Sequence, residues 1–413
     1  MRRCPRTLIA LLLFAMPGHA MAQTLTIGVG AAPTSADPHY SVLTPNVSLA
    51  SHSYDALINR DATSKPVPGL ALAWKMLDDT TWEFKLHPGV KFHNGDDFTA
   101  ADVAHTIARV PKVVNSPGGF GIYTRTFTDV IVVDPHTVRL KTAAVYPLAP
   151  VDLREVKIIS RATGPTPFVQ GPNGETLDKN PLNDLRVRQA LSLAINRVAI
   201  VERMMENAAI PSAQFLPPGS YSYVPDLKPP PYDPQRAKQL LSEAGFPNGL
   251  RITLHGPNDR YVNDGKIIQA VGQMWTRIGV QTQVEPITFP NFIARVTRLE
   301  FSAFFLGWAT SSGAASNPLR ALVATVNPDR GRGSSNRGRY SNPVTDHLIE
   351  QAMITADDSA REKLLQEATR IAVADVAFIP LHNQMNIWGM SPKYNYTARQ
   401  DEETHAMSIH PAQ

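Results

Sequence analysis

Between residues 251 and 307 the chain repeats one arrangement: a short β-forming run, then an amphipathic run of helical length. Arg251 to Leu254 reads as a strand, Asp264 to Ile278 as a helix stopped by Gly279, and Val280 to Val284 as a strand. Asn291 to Leu299 is the next helix and Phe301 to Gly307 the next strand. Strands linked by crossover helices run parallel and need cover on both faces, so this stretch predicts an α/β lobe with a largely parallel sheet. The neighbouring helices carry their own punctuation. Asp184 caps a helix through Val187, Ala190, Leu191 and Ala194. Asp233-Pro234 opens one that runs to Ala244, with Gly245 as its stop. Helices near 343–355 and 359–374 lead into a last strand, Ala377 to Leu381.

The first half reads differently. Thr24 to Val29 alternates as a strand; Trp82, Phe84 and Leu86 alternate, Pro88-Gly89 turns the chain, and Val90 and Phe92 alternate again before a turn at Asn94-Gly95. Thr99 caps a helix that begins Ala100-Ala101-Asp102-Val103, and residues 127–141 form two strands around Asp134-Pro135. There is no internal repeat. The 35 prolines fall largely between apolar runs and predict short elements joined by fixed turns. At 413 residues and 43% hydrophobic content, the length predicts two or three domains, each with its own core.

The first 22 residues set the expected compartment. Arg2, Arg3 and Arg6 precede a nine-residue apolar core, Leu8 to Met16, which is too short to span a bilayer. Pro17-Gly18 breaks the core, and Ala20-Met21-Ala22 fits a small-x-small cleavage site. Cleavage after Ala22 leaves a mature chain from Gln23, exported to the periplasm. The single cysteine, Cys4, goes with the leader and precedes its core, so the mature chain is no lipoprotein and has no disulfide or thiolate chemistry. Loss of three arginines takes the formal charge from +4 to +1, which gives no reason to expect a nucleic-acid partner.

Several motifs closely resemble one family, the peptide/nickel (family 5) extracellular solute-binding proteins of ABC importers. The first is Pro68-Gly69-Leu70-Ala71 with Trp74 and Trp82-Glu83-Phe84-Lys85-Leu86, continuing through Gly89-Val90-Lys91-Phe92-His93-Asn94-Gly95 and Phe98-Thr99-Ala100-Ala101-Asp102-Val103. The second is Asp184-Leu185-Arg186-Val187-Arg188-Gln189-Ala190-Leu191-Ser192-Leu193-Ala194-Ile195-Asn196-Arg197. The third is Pro231-Tyr232-Asp233-Pro234 with Ala237, Leu240, Leu241, Ala244 and Gly245. The resemblance covers nearly the whole mature chain. It implies a type II, cluster C-like periplasmic binding fold of two α/β lobes closing on a ligand, with an extra subdomain in lobe I. On that plan residues 1–22 are the leader, 23–180 lobe I, 181–375 lobe II, and 376–413 the return to lobe I. One departure stands out. Thr163-Gly164-Pro165 runs almost directly into Phe168 to Asp184, where the family's "GTGPY" and "RNPxYW" motifs are expected. Either lobe I has been rebuilt in a smaller form or, as the unaltered flanking segments favour, the chain lacks an internal segment of lobe I near residue 164.

The resemblance also implies a site. The segment His255-Gly256-Pro257-Asn258-Asp259-Arg260-Tyr261 lies at a carboxyl strand end, where α/β lobes bind ligands. Arg260 matches the arginine that pairs with a ligand carboxylate in dipeptide receptors, a role suited to a bidentate guanidinium. Asn258 and Tyr261 flank it. Trp308, after Leu306-Gly307, is either a ligand platform or a core residue. The following loop, which includes Ser311, has no acid where dipeptide receptors carry aspartates. A buried ammonium without a carboxylate is costly, which argues against an ordinary free-amino dipeptide and brings in a modified or blocked peptide beside oligopeptides and dipeptides as the expected ligand class. His382, near the last strand, is a further candidate polar cleft residue.

Other classes fare worse. There is no G-x-S-x-G elbow, no H-E-x-x-H pair and no mature cysteine, which argues against an exported hydrolase. His87 and His93 read as structural, and His405 and His410 as part of a mobile tail, so neither a metal nor another cofactor is expected. Arg330, Arg332, Arg337 and Arg339 read as a solvated Gly/Ser-rich loop, since no aromatic residue interleaves them before Tyr340. The expected partners are a peptide-like ligand and importer permease subunits, with membrane contact only through the importer. An internally deleted copy serving as scavenger, chaperone or sensory receptor is the alternative.

Overall fold

A computed structural model describes residues 26–113, 116, 119–161, 180–309 and 313–412. Residues 1–25, which include the expected leader, and residues 162–179, where the internal segment reads as missing, lie outside the described residues.

Helix α1 (Thr44–Ser51) precedes strands β1 (Ile58–Arg60), β2 (Pro66–Pro68), β3 (Ala71–Asp78) and β4 (Thr81–Leu86). Helix α2 (Ala100–Arg109), strands β5 (Phe127–Asp134) and β6 (Thr137–Thr142) and the short α3 (Ala149–Asp152) follow. Strands β3, β4, β6 and β5, in that order, form an antiparallel sheet, with Phe84 set against Val138 and Trp82 against Leu140. Alternation along β4 turns Phe84 and Leu86 into a core shared with Phe98, Val103, Ile107 and Leu140. Asp102 organises the start of α2, its Oδ2 accepting the Thr99 amide (2.9 Å) and hydroxyl (3.0 Å).

After the undescribed stretch come α4 (Leu185–Leu193), α5 (Arg197–Arg203), β7 (Ala209–Pro211) and α6 (Pro234–Glu243). Asp184 and Asp233 cap as expected, accepting the amides of Arg186 and Arg236, each at 2.8 Å. Then β8 (Arg251–Pro257), α7 (Asp264–Arg277), β9 (Gln281–Ile287), α8 (Phe289–Thr297) and β10 (Ala303–Phe304) build a parallel sheet ordered β10-β8-β9. Gly245 and Gly279 stop α6 and α7 in left-handed backbone (φ +89° and +97°). The core over this sheet joins Val187, Leu191, Leu241, Ile252, Ile267 and Trp275. A short α9 (Ser316–Pro318) leads to the pair α10 (Pro343–Ile354) and α11 (Asp358–Ala374), which pack around Leu319, Ile349 and Leu365. The chain ends in β11 (His382–Gln384), β12 (Tyr394–Tyr396) and β13 (Ile409–Pro411).

Three expected strands differ. Residues 24 and 25 lie outside the described residues, and Thr26–Val29 form no strand; Val29 is 59% exposed. Ala377–Leu381 is not a strand either: the strand begins at His382 and pairs antiparallel with β7. Val90 to Phe92 reduce to a single antiparallel bridge, Lys91 with Asp97, flanked by the Phe98 amide donating to the Val90 carbonyl and the Phe92 amide to the Asp96 carbonyl (both 2.9 Å). At Thr26–Val29 the alternation was present, but among the described residues no neighbouring strand pairs with it. Strand β10 keeps only two of the seven residues expected of it.

Candidate functional site

The loop between β8 and α7 is shaped by two aspartates. Asp264 Oδ2 accepts the amides of Arg260 (3.0 Å) and Tyr261 (2.9 Å), folding the loop back over the start of α7. Asp259 Oδ1 accepts the Phe289 amide (2.7 Å) and ties the loop to α8. Asn258 is exposed, its amide donating to the Ile287 carbonyl (3.1 Å). Arg260 is turned inward. Its guanidinium carbon stands 4.8 Å from the Tyr261 ring centre and 5.8 Å from that of Phe289.

The acceptor of Arg260 comes from the C-terminal tail. Nη1 and Nη2 donate to Glu402 Oε1 and Oε2, both at 3.0 Å, a two-pronged guanidinium–carboxylate pair. Burial pulls the Arg260 pKa down, and the Glu402 carboxylate more than offsets it, so the net shift is upward. The expected partner was a ligand carboxylate; the one Arg260 meets here is supplied by the chain itself. Glu402 adopts left-handed backbone (φ +66°), which turns it away from its neighbours. Those neighbours grip the other side. Asp401 Oδ2 lies 2.9 Å from Arg60 Nε, Glu403 pairs with Arg60 Nη2, and Glu155 completes the cluster at 2.8 Å from Arg60 Nη1. Burial works against the Glu403 charge, but Arg60 and His405 hold its pKa down to about 2. Three consecutive acids therefore join Arg60, beside β1, to Arg260, beside β8.

Tyr261 forms the adjoining wall. The Tyr261 hydroxyl donates to the Gly307 carbonyl (3.2 Å), and burial pushes its pKa up to about 12. Gly307 is required by contact: a Cβ there would lie 2.6 Å from Tyr261 Cε1. Trp308 is resolved toward packing. It lies against a cluster that holds Val47, Phe120, Ile122, Tyr123 and Ala321, and its Nε1–H donates to Asn317 Oδ1 (2.9 Å). Asn317 Nδ2 in turn donates to the Tyr123 hydroxyl (3.0 Å). Ser311 lies outside the described residues. His382 sits on β11 against Pro211, apart from the Arg260–Tyr261 wall; its Nδ1 is buried without a hydrogen bond and burial lowers its pKa.

The structure thus sets Arg260 against Tyr261 and places Gly307 beside that ring, with Asn258 exposed; Trp308, next along the chain, turns to packing. Glu402 and Asn317 were missed, because nothing local in the tail or after Trp308 marks a residue whose partner lies far away in sequence. The solvated reading of the arginine loop needs correction. Arg330 is exposed, but the Arg332 side chain is only 13% exposed and donates to Glu350 Oε1 (2.5 Å), and Arg337 is partly buried. Among the described residues no group of three His, Asp or Glu is placed to hold a metal, and no helix is long and apolar enough to cross a membrane.

Comparison with known proteins gives a consistent pattern. The model of the bacterial extracellular solute-binding proteins, family 5, matches residues 65–176 and 151–329. Heme-binding protein A of Haemophilus influenzae is 30% identical over 224 residues, which is 52% of this chain and 39% of that protein. Glutathione-binding protein GsiB of Escherichia coli is 26% identical over 460 residues, covering 87% of this chain and 89% of that one. Among solved structures, the murein tripeptide binding protein MppA of Escherichia coli superposes with a TM-score of 0.78 at 19% identity, covering 93% of this chain and 97% of that one. The periplasmic binding protein DppA of Helicobacter pylori, in complex with the peptide STSA, gives 0.77 at 18%, with the same coverage. At these identities the structures establish a shared fold.

Proposed function

This chain belongs to the bacterial extracellular solute-binding proteins, family 5, and from that premise we propose that it is the exported receptor of an ABC importer, capturing a peptide-like solute in the periplasm. The reading assigns residues 23–180 to lobe I, 181–375 to lobe II and 376–413 to the return into lobe I. Its role is binding, with no chemical step. The observation that carries it is the Arg260 environment: a buried guanidinium, stacked on Tyr261 and aimed at a carboxylate in two-pronged geometry. A ligand carboxylate takes the place of Glu402, and Tyr261 forms the wall beside it. Relatives and fold neighbours named for glutathione and peptides support a ligand of this kind.

The test is calorimetry of the mature chain with N-acetylated dipeptides, free dipeptides and glutathione. Arg260→Ala should remove capture of any carboxylate ligand while the fold persists, because losing one partner of a desolvated pair costs about 2–5 kcal/mol. Unchanged affinity in that variant places Arg260 outside the site.

A second reading, an internally deleted copy that no longer supports transport, is favoured by a separate observation. The 460 aligned positions with GsiB take up 87% of a 413-residue chain, so on the order of a hundred of them have no residue here. Thr26–Val29 and Ala377–Leu381 lack the strands expected of them, and Met385, Ile387 and Met390 stand exposed. On this reading the chain binds its peptide weakly, and limited proteolysis digests residues 23–180 while sparing 181–375. Cooperative single-step unfolding together with micromolar peptide binding would exclude it.

A further inference from the structure

A cavity of about 320 Å³ lies where three distant segments meet: the turn at Gly119–Arg125, the end of α8 at Thr297 and Leu299, and the loop from Val326 to Arg339. Among the described residues its lining carries four arginines, Arg125, Arg332, Arg337 and Arg339, and no acidic residue. Glu350 Oε1 accepts from both Arg330 (2.8 Å) and Arg332 (2.5 Å), so one carboxylate is shared between two of the loop's arginines. The lining therefore keeps an excess of positive charge around a half-open cavity, an arrangement that favours entry of an anion. The Arg332 Nε–H is buried and has no acceptor among the described residues. Burial alone draws the Arg337 guanidinium down to about 10, the direction expected where water is scarce, with the Tyr261 phenol acting in the opposite sense.

The loop that presents these arginines is built in advance. Asn336 is buried; its Nδ2 donates to the carbonyls of Ala324 (3.0 Å) and Tyr340 (2.7 Å), and its Oδ1 accepts the Tyr340 amide (3.1 Å). The amides of Gly333 and Ser335 donate to the carbonyls of Arg320 and Ala321, each at 2.9 Å. At Gly333 a Cβ would lie 2.7 Å from the Ala324 oxygen, so only glycine lets the loop close this tightly (φ +65°). The guanidinium roots are thus fixed before any ligand arrives, which lowers the entropy lost on binding.

We propose that this cavity is an anion site for a small molecule carrying two or more carboxylate or phosphate groups. Its volume is roughly that of ten waters, enough for a tricarboxylate or a diphosphate, and planar guanidinium groups recognise either acid two-pronged. None of Arg260, Asn258, Tyr261 and Trp308 lines it, although the Tyr261 phenol lies near enough to act on Arg337.

Calorimetry and thermal unfolding of the mature chain with citrate and with pyrophosphate test this, at low and at about 0.15 M ionic strength. The native chain should bind at least one probe with a Kd below about 1 mM, and its melting temperature should rise with probe concentration. Arg125→Ala/Arg339→Ala, which alters two exposed side chains, and Arg337→Ala should each weaken binding tenfold or more, while Arg260→Ala binds the probe as the parent does. Binding of citrate alone assigns the site to carboxylates, and binding of pyrophosphate alone to phosphoryl groups. Absence of heat and of a melting shift with both probes overturns the proposal, as does undiminished affinity in Arg125→Ala/Arg339→Ala. Loss of probe binding in Arg260→Ala alone also overturns it, and leaves the peptide-capture reading standing.

Discussion

Replacing Glu402 by Gln should make the protein less stable and, at the same time, a better binder of carboxylate ligands. Gln preserves the shape of the side chain and removes its charge. The Arg260 side chain is only 7% exposed, whereas Glu402 is 31% exposed, so the pair is neither fully buried nor a surface pair. Breaking a buried pair costs about 3–5 kcal/mol and an exposed one about 0–1 kcal/mol. With the cation–π contact to Tyr261 retained, the loss here should be roughly 1–3 kcal/mol. The same interaction competes with any ligand carboxylate, because Glu402 is tethered within the chain and already occupies both guanidinium prongs. Removing the competitor should tighten binding by at most the energy it contributed, about 5- to 150-fold. Urea unfolding reads the first effect as a lower midpoint at unchanged slope. Calorimetry with an N-acetylated dipeptide reads the second. A Glu402→Gln chain as stable as its parent, with unaltered or weaker ligand affinity, would refute the view that Glu402 stands in for a ligand carboxylate.

Two further outcomes follow from buried contacts. His39 is fully buried, and burial lowers its pKa from 6.5 to about 4; Arg109 donates to Nδ1 (2.7 Å), leaving Nε2–H to donate to the Lys157 carbonyl (2.6 Å). Below pH 6.5 the unfolded chain takes up a proton that the native one refuses, so stability should fall by about 3 kcal/mol between pH 6.5 and 4; a flat unfolding midpoint across that window contradicts this. Gly307→Ala should cost about 1–3 kcal/mol by driving a methyl against Tyr261, seen as a lower melting temperature and an altered tyrosine fluorescence, and an unperturbed variant would show that the wall is looser than drawn.

Much of the parallel-sheet half was legible in the sequence, for a local reason. Asp184 and Asp233 cap helices, and Gly245 and Gly279 stop them, within the span of a single turn, and the alternation in β4 needs only its own residues to declare which face is apolar. The Arg260 loop was legible too, since a strand end followed by a helix start is a local signature. Alternation at Thr24–Val29 and Ala377–Leu381 was just as readable, yet Thr26–Val29, the described part of the first, and Ala377–Leu381 are not strands. A strand exists only when another backbone accepts its hydrogen bonds, and no sequence pattern within the segment can guarantee that neighbour.

By itself the sequence determined the helix boundaries, the α/β pattern, the family and the position of one arginine at a strand end. Only the tertiary structure decided what that arginine faces. Glu402 is 142 residues away along the chain, and the four arginines around the cavity are gathered from two loops some two hundred residues apart. Helix caps and turns are settled between residues a few positions apart. Charge pairing and cavity lining act through space between side chains of any separation, so only the folded chain fixes which charges meet.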